Sequence, residues 1–238
     1  MPQAKPIIYI FDLGGVLIRL NVPRCMHAFE ELMGEANMQA VLGIDKHGEG
    51  VLSVSVASRQ LMADFERGHI SPVTFIREVL RYCRPGTTEQ QVVDAWMAML
   101  DDLPQRRLDV IDRLRADGHP VYLLSNGNEL HFDFINRTYG LARHFDQLFL
   151  SQEMHMAKPD PAIFRAVHQA VTREGTIRPE RIIFIDDIEA NPAYVGSGLS
   201  VYSVALSIHN DQLQKYKTHT EIIEALNSLE YISYIEEM

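Results

Sequence analysis

Four short apolar runs of the sequence are each followed closely by polar residues that could do chemistry. The residues that follow them are Asp12 with Gly14 and Gly15, Ser125 with Asn126, Lys158 with Asp160, and Asp186 with Asp187. If the runs are parallel strands, their carboxyl ends share one edge of a sheet, which is where such folds bind ligands. We therefore expect the three carboxylates of Asp12, Asp186 and Asp187, one lysine and a hydroxyl–amide pair to converge in one crevice.

These residue types together favour phosphoryl transfer. Neighbouring carboxylates repel one another unless a cation lies between them, and oxygen ligands with few protein contacts suit Mg²⁺. Lys158 and the N-terminus of a helix that opens at Asp160 could hold an anion beside that metal. The Ser125 hydroxyl, Asn126 and the Gly14-Gly15 amides could donate to phosphoryl oxygens. An aspartate that faces the phosphorus could attack it and form an acyl phosphate, which water then cleaves.

Each of these patterns alone has a plain structural explanation. An aspartate before glycine is often a turn residue, and Ser125-Asn126 alone is typical of a loop. The pair Asp186-Asp187 could cap a helix, and Lys158-Pro159 with Asp160-Pro161 is a common way to begin one. The functional interpretation depends on the order of all four patterns, each at the end of its own strand.

Five short apolar runs are predicted to be buried strands. Their β-branched and aromatic content, their length and their lack of polar alternation suit parallel strands covered on both faces. The runs are Ile7–Phe11, Val121–Leu124, Gln147–Leu150, Ile182–Ile185 and Val201–Val204. Helical patterns lie between them, one through Leu108, Ile111 and Leu114 and one that starts at Asp160-Pro161. Strands that alternate with helices predict an α/β fold with a doubly wound, Rossmann-like parallel sheet.

One interval, from Leu20 to about Pro104, lacks this alternation and is predicted to be helical. The helical stretches in it are Cys25–Met33, Val51–Arg67, Pro72–Arg84 and Thr88–Leu100. An all-helical insertion directly after the first strand is expected to cover the carboxyl edge of the sheet. The predicted division is a core of residues 1–19 and 105–238 and a helical cap of residues 20–104. The segment Ile222–Met238 is acidic and amphipathic and is interpreted as a packing helix or a frayed tail.

The ordered set of four segments resembles the four motifs of the haloacid dehalogenase (HAD) superfamily. The helical insertion resembles the C1 cap of that superfamily. The stretch Phe65–Gly68, with Ile70-Ser71, is similar to a cap segment of the α-D-glucose-1-phosphatase-like and epoxide-hydrolase-N-terminal-like branch. The resemblance implies a Mg²⁺-dependent phosphatase that acts on a small phosphorylated metabolite through an aspartyl-phosphate intermediate.

The resemblance also implies a role for each motif residue. Asp12 would be the nucleophile, Ser125 and Asn126 would bind the phosphoryl group, and Lys158 would neutralise charge on both nucleophile and phosphate.

The implied metal ligands come from the first and fourth motifs. Asp12 and the backbone carbonyl of Gly14 would bind Mg²⁺ on one side. Asp187 would be a direct ligand, and Asp186 would orient a bound water.

The sequence departs from the superfamily at Gly14. HAD phosphatases typically carry a second aspartate at this position, which protonates the leaving group and later activates water. Another acid could substitute, the substrate could have a good leaving group, or turnover could be lost. We favour a good leaving group, because the anomeric oxygen of a sugar 1-phosphate is less basic than an ordinary alkoxide. Glu66 or His69 could supply a proton, although each is more simply a solvated charge.

Two other functions stay open. A 2-haloacid dehalogenase also lacks the second aspartate and often has Ser-Asn-Gly in the second motif, as Ser125–Gly127 does here. However, adjacent carboxylates such as Asp186-Asp187 would be costly in a metal-free site. A catalytically weakened phosphate-ligand binder would also explain Gly14.

Composition limits the cellular setting and the partners. The chain has 238 residues, 46% of them apolar, which is ordinary globular usage, and its net charge of −10 argues against a broad nucleic-acid surface. Two cysteines, Cys25 and Cys83, fit a reducing compartment. No apolar run is long enough for a signal peptide or a membrane span. We expect a cytoplasmic protein without a membrane partner, as a monomer or weak homodimer.

Overall fold

The sheet is parallel throughout and carries the predicted strands. The computed structural model describes residues 7–42, 56–172, 181–186 and 202–205. Within these residues the sheet has five strands in the order β3-β2-β1-β4-β5. Their bounds are β1 Ile7–Phe11, β2 Val121–Ser125, β3 Gln147–Leu150, β4 Arg181–Asp186 and β5 Tyr202–Ala205. The prediction of a doubly wound α/β sheet is confirmed.

The helices lie between these strands and on both sides of the sheet. Their bounds are α1 Val22–Met33, α2 Glu35–Leu42, α3 Val56–Glu66, α4 Pro72–Leu80, α5 Glu89–Met97, α6 Gln105–Ala116, α7 Glu129–Tyr139, α8 Ser151–Met154 and α9 Pro161–Thr172, with a 3₁₀ helix at Leu141–His144. None of these described helices is long and apolar enough to cross a bilayer.

Side chains of β1 alternate between the two faces of the sheet and so build two buried layers. Ile8 and Ile10 pack with α9 on one face, whereas Tyr9 and Phe11 pack with α6 on the other. The register pairs Phe11 with both Leu123 of β2 and Ile185 of β4, so these three strands end nearly level. The residues that follow them therefore meet at one edge of the sheet.

Helices α1 to α5 form a separate apolar cluster between β1 and α6. At its centre the rings of Phe65 and Phe75 stack with centroids 4.1 Å apart, and Trp96 lies 5.1 Å from Phe75. The chain enters and leaves this cluster side by side, because Leu20 and Leu100 form an antiparallel bridge. The division into core and cap at residues 20 and 104 stays a prediction.

The predicted helices differ from the described ones mainly at their ends. The helix predicted to run to Arg84 ends at Leu80, after which backbone amides bond to carbonyls three residues back. Pro85 explains why the helix cannot include Arg84, since proline disfavours helical geometry at the residue before it. Thr88 caps α5 through a capping box with Gln91 instead of lying inside the helix.

Three helices of the structure were not predicted from the sequence, and some predicted segments cannot be compared with the structure. Helices α2, α7 and α8 were not predicted. Residues 51–55 of one predicted helix, Val201 of the last strand and the segment Ile222–Met238 lie outside the described residues.

Candidate active site

The ammonium of Lys158 bridges two buried carboxylates at the carboxyl edge of the sheet. Lys158 Nζ lies 3.0 Å from Asp12 Oδ1 and 2.5 Å from Asp186 Oδ2. Asp12 follows β1 and Asp186 ends β4, and the backbone amide of Asp12 donates to the carbonyl of Ile185 at 2.8 Å. All three charged side chains are buried. The structure therefore brings together three of the residues that the sequence selected from separate strands.

Burial dominates the electrostatics of this cluster. It raises the pKa of Asp12 to about 7, because loss of solvent outweighs the lowering effect of Lys158, and Asp186 raises that pKa further. Burial alone would lower the pKa of Lys158, but the two carboxylates outweigh it and the pKa is raised. The raised pKa of Lys158 favours its charged form, whereas the raised pKa of Asp12 disfavours its charged form.

This charge balance fits a divalent cation. Two ionised carboxylates against one ammonium leave an excess negative charge, which a divalent cation would offset. Asp12 and Asp186 offer the hard oxygen ligands that Mg²⁺ prefers. Among the described residues no cluster of three or more His, Cys, Asp or Glu side chains forms a metal site. Asp187, which was predicted to be a direct ligand, lies outside the described residues.

The side chain of Asn126 fastens the lysine segment to the end of β2. Its Oδ1 accepts from the backbone amide of Lys158 at 2.8 Å, and its Nδ2 donates to the carbonyl of the same residue at 2.8 Å. Asn126 was predicted to bind the phosphoryl group, and the structure shows its amide paired with Lys158 in this way. Its side chain therefore positions the lysine, and binding of a phosphoryl group through Asn126 stays a prediction.

The loop after Asp12 is tightly folded and held from behind. Arg107 of α6 is buried and donates to the carbonyls of Val16 and Leu17 at 2.8 and 3.0 Å. Gly15 has a φ of 73°, a left-handed conformation that favours glycine. Gly14 lacks such a constraint, but a Cβ at this position would lie 3.0 Å from Leu20 Cδ1. An apolar side chain thus occupies the space beside the position where a second aspartate is usual.

A cavity of about 290 Å³ opens between the sheet edge and the α1–α5 helices. Its floor includes Gly14, Ser125 and Asn126. Most of the other lining side chains are apolar. They include Leu20, Leu42, Met62, Trp96, Met99 and Phe132. Ser125 and Asn126, two of the predicted phosphate-binding residues, therefore face a chamber whose walls come from both halves of the described chain. Asp12 and Lys158 are not part of its lining.

Ser151 joins the floor of this cavity to its wall. Its hydroxyl accepts from the backbone amide of Gly127 at 3.0 Å and donates to the carbonyl of Glu66 at 2.6 Å. Nearby, Gly68 has a φ of +64°, and a Cβ there would lie 2.1 Å from the carbonyl oxygen of Gln152. The turn that ends α3 thus packs directly against the backbone of α8.

A second link across the cavity fixes the protonation state of His131. Asn128 Oδ1 accepts from Trp96 Nε1 at 3.3 Å and from the His131 amide at 3.0 Å. The Asn128 Nδ2 therefore faces His131 Nδ1 at 3.3 Å, and His131 Nε2 donates to the Trp96 carbonyl at 3.0 Å. Burial lowers the pKa of His131 to about 4. The ring is a neutral, structural group.

The family of the chain follows from sequence comparison. The sequence model for haloacid dehalogenase-like hydrolases matches residues 8–191, well over half of the chain, and includes all four motifs. The chain is a haloacid dehalogenase-like hydrolase. The family resemblance of the motifs is thereby confirmed, and the protein is an enzyme.

Relatives of this hydrolase include a phosphatase and HAD family enzymes of known structure. The D-ribitol-5-phosphate phosphatase of Bacteroides thetaiotaomicron is 27% identical over 190 residues, which cover 76% of this chain and 83% of that protein. A HAD family enzyme of the same species, solved with magnesium and inorganic phosphate, is 30% identical with a TM-score of 0.67, covering 88% of this chain and 99% of that one. A HAD-like hydrolase from Porphyromonas gingivalis is 29% identical with a TM-score of 0.65, covering 90% and 100%.

Dehalogenases share the fold of this hydrolase. The L-2-haloacid dehalogenase of Xanthobacter autotrophicus is 18% identical with a TM-score of 0.51, and the match covers 99% of this chain and 90% of that one. At this identity the similarity concerns the fold alone.

Sequence reasoning missed several residues that shape the site of this hydrolase. Ser151 directly follows β3, so the strand-end signal that selected Ser125 also applies to it. Asn128 lies three residues beyond β2 and could have been found in the same way. Leu20 and Trp96 carry no such signal, since an apolar residue near a helix end is ordinary core material.

Proposed function

We propose that this hydrolase is a Mg²⁺-dependent phosphatase that cleaves a phosphate monoester of a small sugar or sugar alcohol. Asp12 is the nucleophile and carries the phosphoryl group as an aspartyl phosphate. The observation that carries this proposal is the buried triad of Asp12, Lys158 and Asp186, with Lys158 Nζ 3.0 Å from Asp12 Oδ1 and 2.5 Å from Asp186 Oδ2. An ammonium held between two carboxylates suits a site that must receive a dianion beside its nucleophile.

The residues of the chain divide the work of the reaction. Asp12 attacks phosphorus with one carboxylate oxygen, and Lys158 stabilises the charge on the phosphoryl oxygens. Ser125, buried at the end of β2, donates to another of those oxygens. Asp12, Asp187 and the Gly14 carbonyl would hold Mg²⁺, and Asp186 would orient a water bound to it. Mg²⁺, when bound, supplies positive charge that lowers the energy of the phosphoryl transition state.

The substrate class is supported by comparison and by leaving-group chemistry. A relative acts on D-ribitol 5-phosphate, a phosphate ester of a primary alcohol. A sugar 1-phosphate is the other candidate, because its anomeric oxygen leaves more easily and depends less on a general acid. Sugar 1-phosphates need a proton donor less than phosphate esters of primary alcohols do. The relative rates of hydrolysis of the two classes therefore indicate whether the site supplies a general acid.

The α1–α5 helices act as a cap in this proposal. Trp96 and Met62 from these helices line the same cavity as Ser125 from the sheet, so a bound substrate would be enclosed from both sides. Enclosure excludes water and commits the substrate to reaction. Side chains of the α1–α5 helices then determine which phosphate ester is the preferred substrate.

A phosphate-release screen tests the function. Sugar 1-phosphates, sugar 5- and 6-phosphates and alditol phosphates are incubated with enzyme and Mg²⁺, then with EDTA. We expect phosphate release that EDTA abolishes and Mg²⁺ restores, and that Asp12→Asn lowers on the order of 10⁴-fold or more. Asp109→Asn, on the exposed face of α6, is the matched control and keeps full activity.

Two results would overturn the proposal. Halide release from 2-haloacids that ignores EDTA would indicate a dehalogenase. Tight binding of phosphate esters without turnover, unchanged in Asp12→Asn, would indicate a binder.

A further inference from the structure

The position of the usual second aspartate is closed by an apolar side chain. Gly14 has no side chain, and Leu20 Cδ1 lies 3.0 Å from where its Cβ would be. Position 14 itself therefore offers no proton to a leaving group. An alkyl phosphate nevertheless needs a proton on its leaving oxygen, and such general acid catalysis contributes about 10²–10⁴-fold.

Glu66 is the one carboxylic acid among the described residues that line the cavity. The other titratable side chain in this lining is His131, which is neutral and committed to Trp96 and Asn128. His69, in the same turn as Glu66, is not part of the cavity lining, and it pairs with Asp64 at 3.3 Å. Of the two proton donors that the sequence left open, Glu66 lines the cavity and His69 does not.

The backbone of Glu66 is fixed to the phosphate-binding loop. The carbonyl of Glu66 accepts from Ser151, and the same hydroxyl accepts from the amide of Gly127, two residues after Ser125. The neighbouring Arg67 carbonyl lies 2.8 Å from His155 Nδ1. Hydrogen bonds through Ser151 therefore fix the backbone of Glu66 relative to the loop after β2.

The environment of Glu66 also suits a proton donor. Burial raises the pKa of its carboxyl above the ordinary value, and the positive charge of Arg67 opposes that shift only in part. A raised pKa keeps a larger fraction of the acid form near neutrality, where a general acid works best.

We propose that Glu66 is the general acid and base that replaces the missing aspartate, an inference that rests on the proposed phosphatase function. In the first half-reaction an Asp12 oxygen forms a bond to phosphorus, the bond from phosphorus to the alkyl oxygen breaks, and Glu66 gives its proton to that oxygen. In the second, Glu66 takes a proton from water as the water oxygen attacks phosphorus. Inorganic phosphate leaves, and Asp12 returns as a carboxylate.

Leaving-group dependence in Glu66→Gln tests this role. The variant is compared with wild type on p-nitrophenyl phosphate, whose leaving group needs no proton, and on ribitol 5-phosphate and glycerol phosphate. We expect kcat to fall about 10²–10⁴-fold on the alkyl esters. On p-nitrophenyl phosphate we expect the rate constant of the pre-steady-state burst of p-nitrophenol to be nearly unchanged, because the burst reports the first half-reaction and this leaving group needs no proton. His69→Gln is the matched control and should match wild type on all substrates.

A rescue variant guards against a purely structural effect. Leu20→Ala makes room for Gly14→Asp, whose backbone is not in the left-handed region. Added to Glu66→Gln, this pair should restore turnover of alkyl esters at least tenfold. An equal fall in the p-nitrophenol burst rate constant and in kcat on alkyl esters, or no loss on alkyl esters, would overturn the role of Glu66 while leaving the phosphatase function intact. Absence of any Mg²⁺-dependent phosphate release by wild type would instead overturn the proposed function, and this inference with it.

Discussion

The hydroxyl of Ser151 donates a 2.6 Å hydrogen bond to the backbone carbonyl of Glu66. The two residues are 85 positions apart in the sequence, one directly after β3 and the other at the end of α3. Ser151 is fully buried and also accepts from the Gly127 amide. A single side chain therefore couples the helical unit to the loop at the end of β2.

Replacing Ser151 by alanine should impair both stability and catalysis. The partly buried amide of Gly127 and carbonyl of Glu66 would each lose a partner, which we expect to cost about 1–3 kcal/mol of the free energy of unfolding. We also expect a lower kcat on alkyl phosphates because Glu66 is less firmly positioned. Urea denaturation and steady-state kinetics measure the two effects.

Ser71→Ala provides the control for the Ser151 experiment. Ser71 caps α4 through the amide of Thr74, and its loss should cost about 1 kcal/mol without reaching the site. If both variants lose stability equally and neither loses activity, the hydrogen bond from Ser151 to Glu66 does not contribute to catalysis.

Lys158→Met should leave two buried carboxylates without their cation. We expect the free energy of unfolding in EDTA at pH 8 to fall by about 3–5 kcal/mol, because a buried charge without its partner is strongly destabilising. Turnover should be lost as well. Arg81→Met removes an exposed pair with Glu78 and should cost less than about 1 kcal/mol. Equal stability of Lys158→Met and wild type would contradict the buried charge cluster.

Stability should fall in acid through His131. Its pKa is about 4 in the folded protein against an ordinary value of 6.5, so the unfolded chain binds a proton that the folded chain refuses. This contribution is present above pH 6.5 and is lost as the pH falls to 4, a difference on the order of 3 kcal/mol.

Urea unfolding at pH 7.5 and pH 4.5 measures this dependence. His131→Gln should lose less stability than wild type between the two values, whereas His27→Gln, at an exposed position on α1, should behave like wild type. A His131→Gln variant with the wild-type pH dependence would show that the ring is protonated in the fold.

Gly68 should tolerate no side chain. A Cβ would lie 2.1 Å from the Gln152 carbonyl oxygen, and the φ of +64° adds strain of about 1–2 kcal/mol. Gly118, directly after the Asp117 that caps the end of α6, has a φ of +85° but open space around it, so Gly118→Ala carries the strain without the clash. We expect Gly68→Ala to be clearly less stable than Gly118→Ala by thermal unfolding, and to turn over alkyl phosphates more slowly. Equal unfolding temperatures would contradict the close approach of α3 and α8.

Local sequence signals predicted the sheet well. Ile7–Phe11 and Gln147–Leu150 have the bounds that their apolar composition predicts, because buried parallel strands leave a continuous apolar run. The convergence of Asp12, Lys158 and Asp186 followed from one rule about where parallel strands end. The positions of Asp12 and Asp186 were predictable since each lies at the end of its own strand, whereas Lys158 lies beyond α8 and was included because it follows β3 in the chain.

The walls of the cavity were not predictable in the same way. Apolar periodicity shows which face of a helix is buried but not which partner buries it, so nothing in the sequence brings Leu20 beside Gly14. The contact between Ser151 and Glu66 depends on the packing of α3 against α8, which no local pattern encodes. The short helix α2 was missed because its eight residues carry little periodicity.

Trapping the covalent intermediate tests the central role of Asp12 most directly. Enzyme turning over p-nitrophenyl phosphate with Mg²⁺ is quenched in acid and treated with borohydride, which reduces an acyl phosphate to an alcohol. Mass spectrometry of the peptide that spans β1 should then find homoserine at position 12, and only in the sample that contained substrate. Full turnover with an unmodified Asp12, or a phosphoryl group on another side chain, would contradict nucleophilic catalysis by this residue.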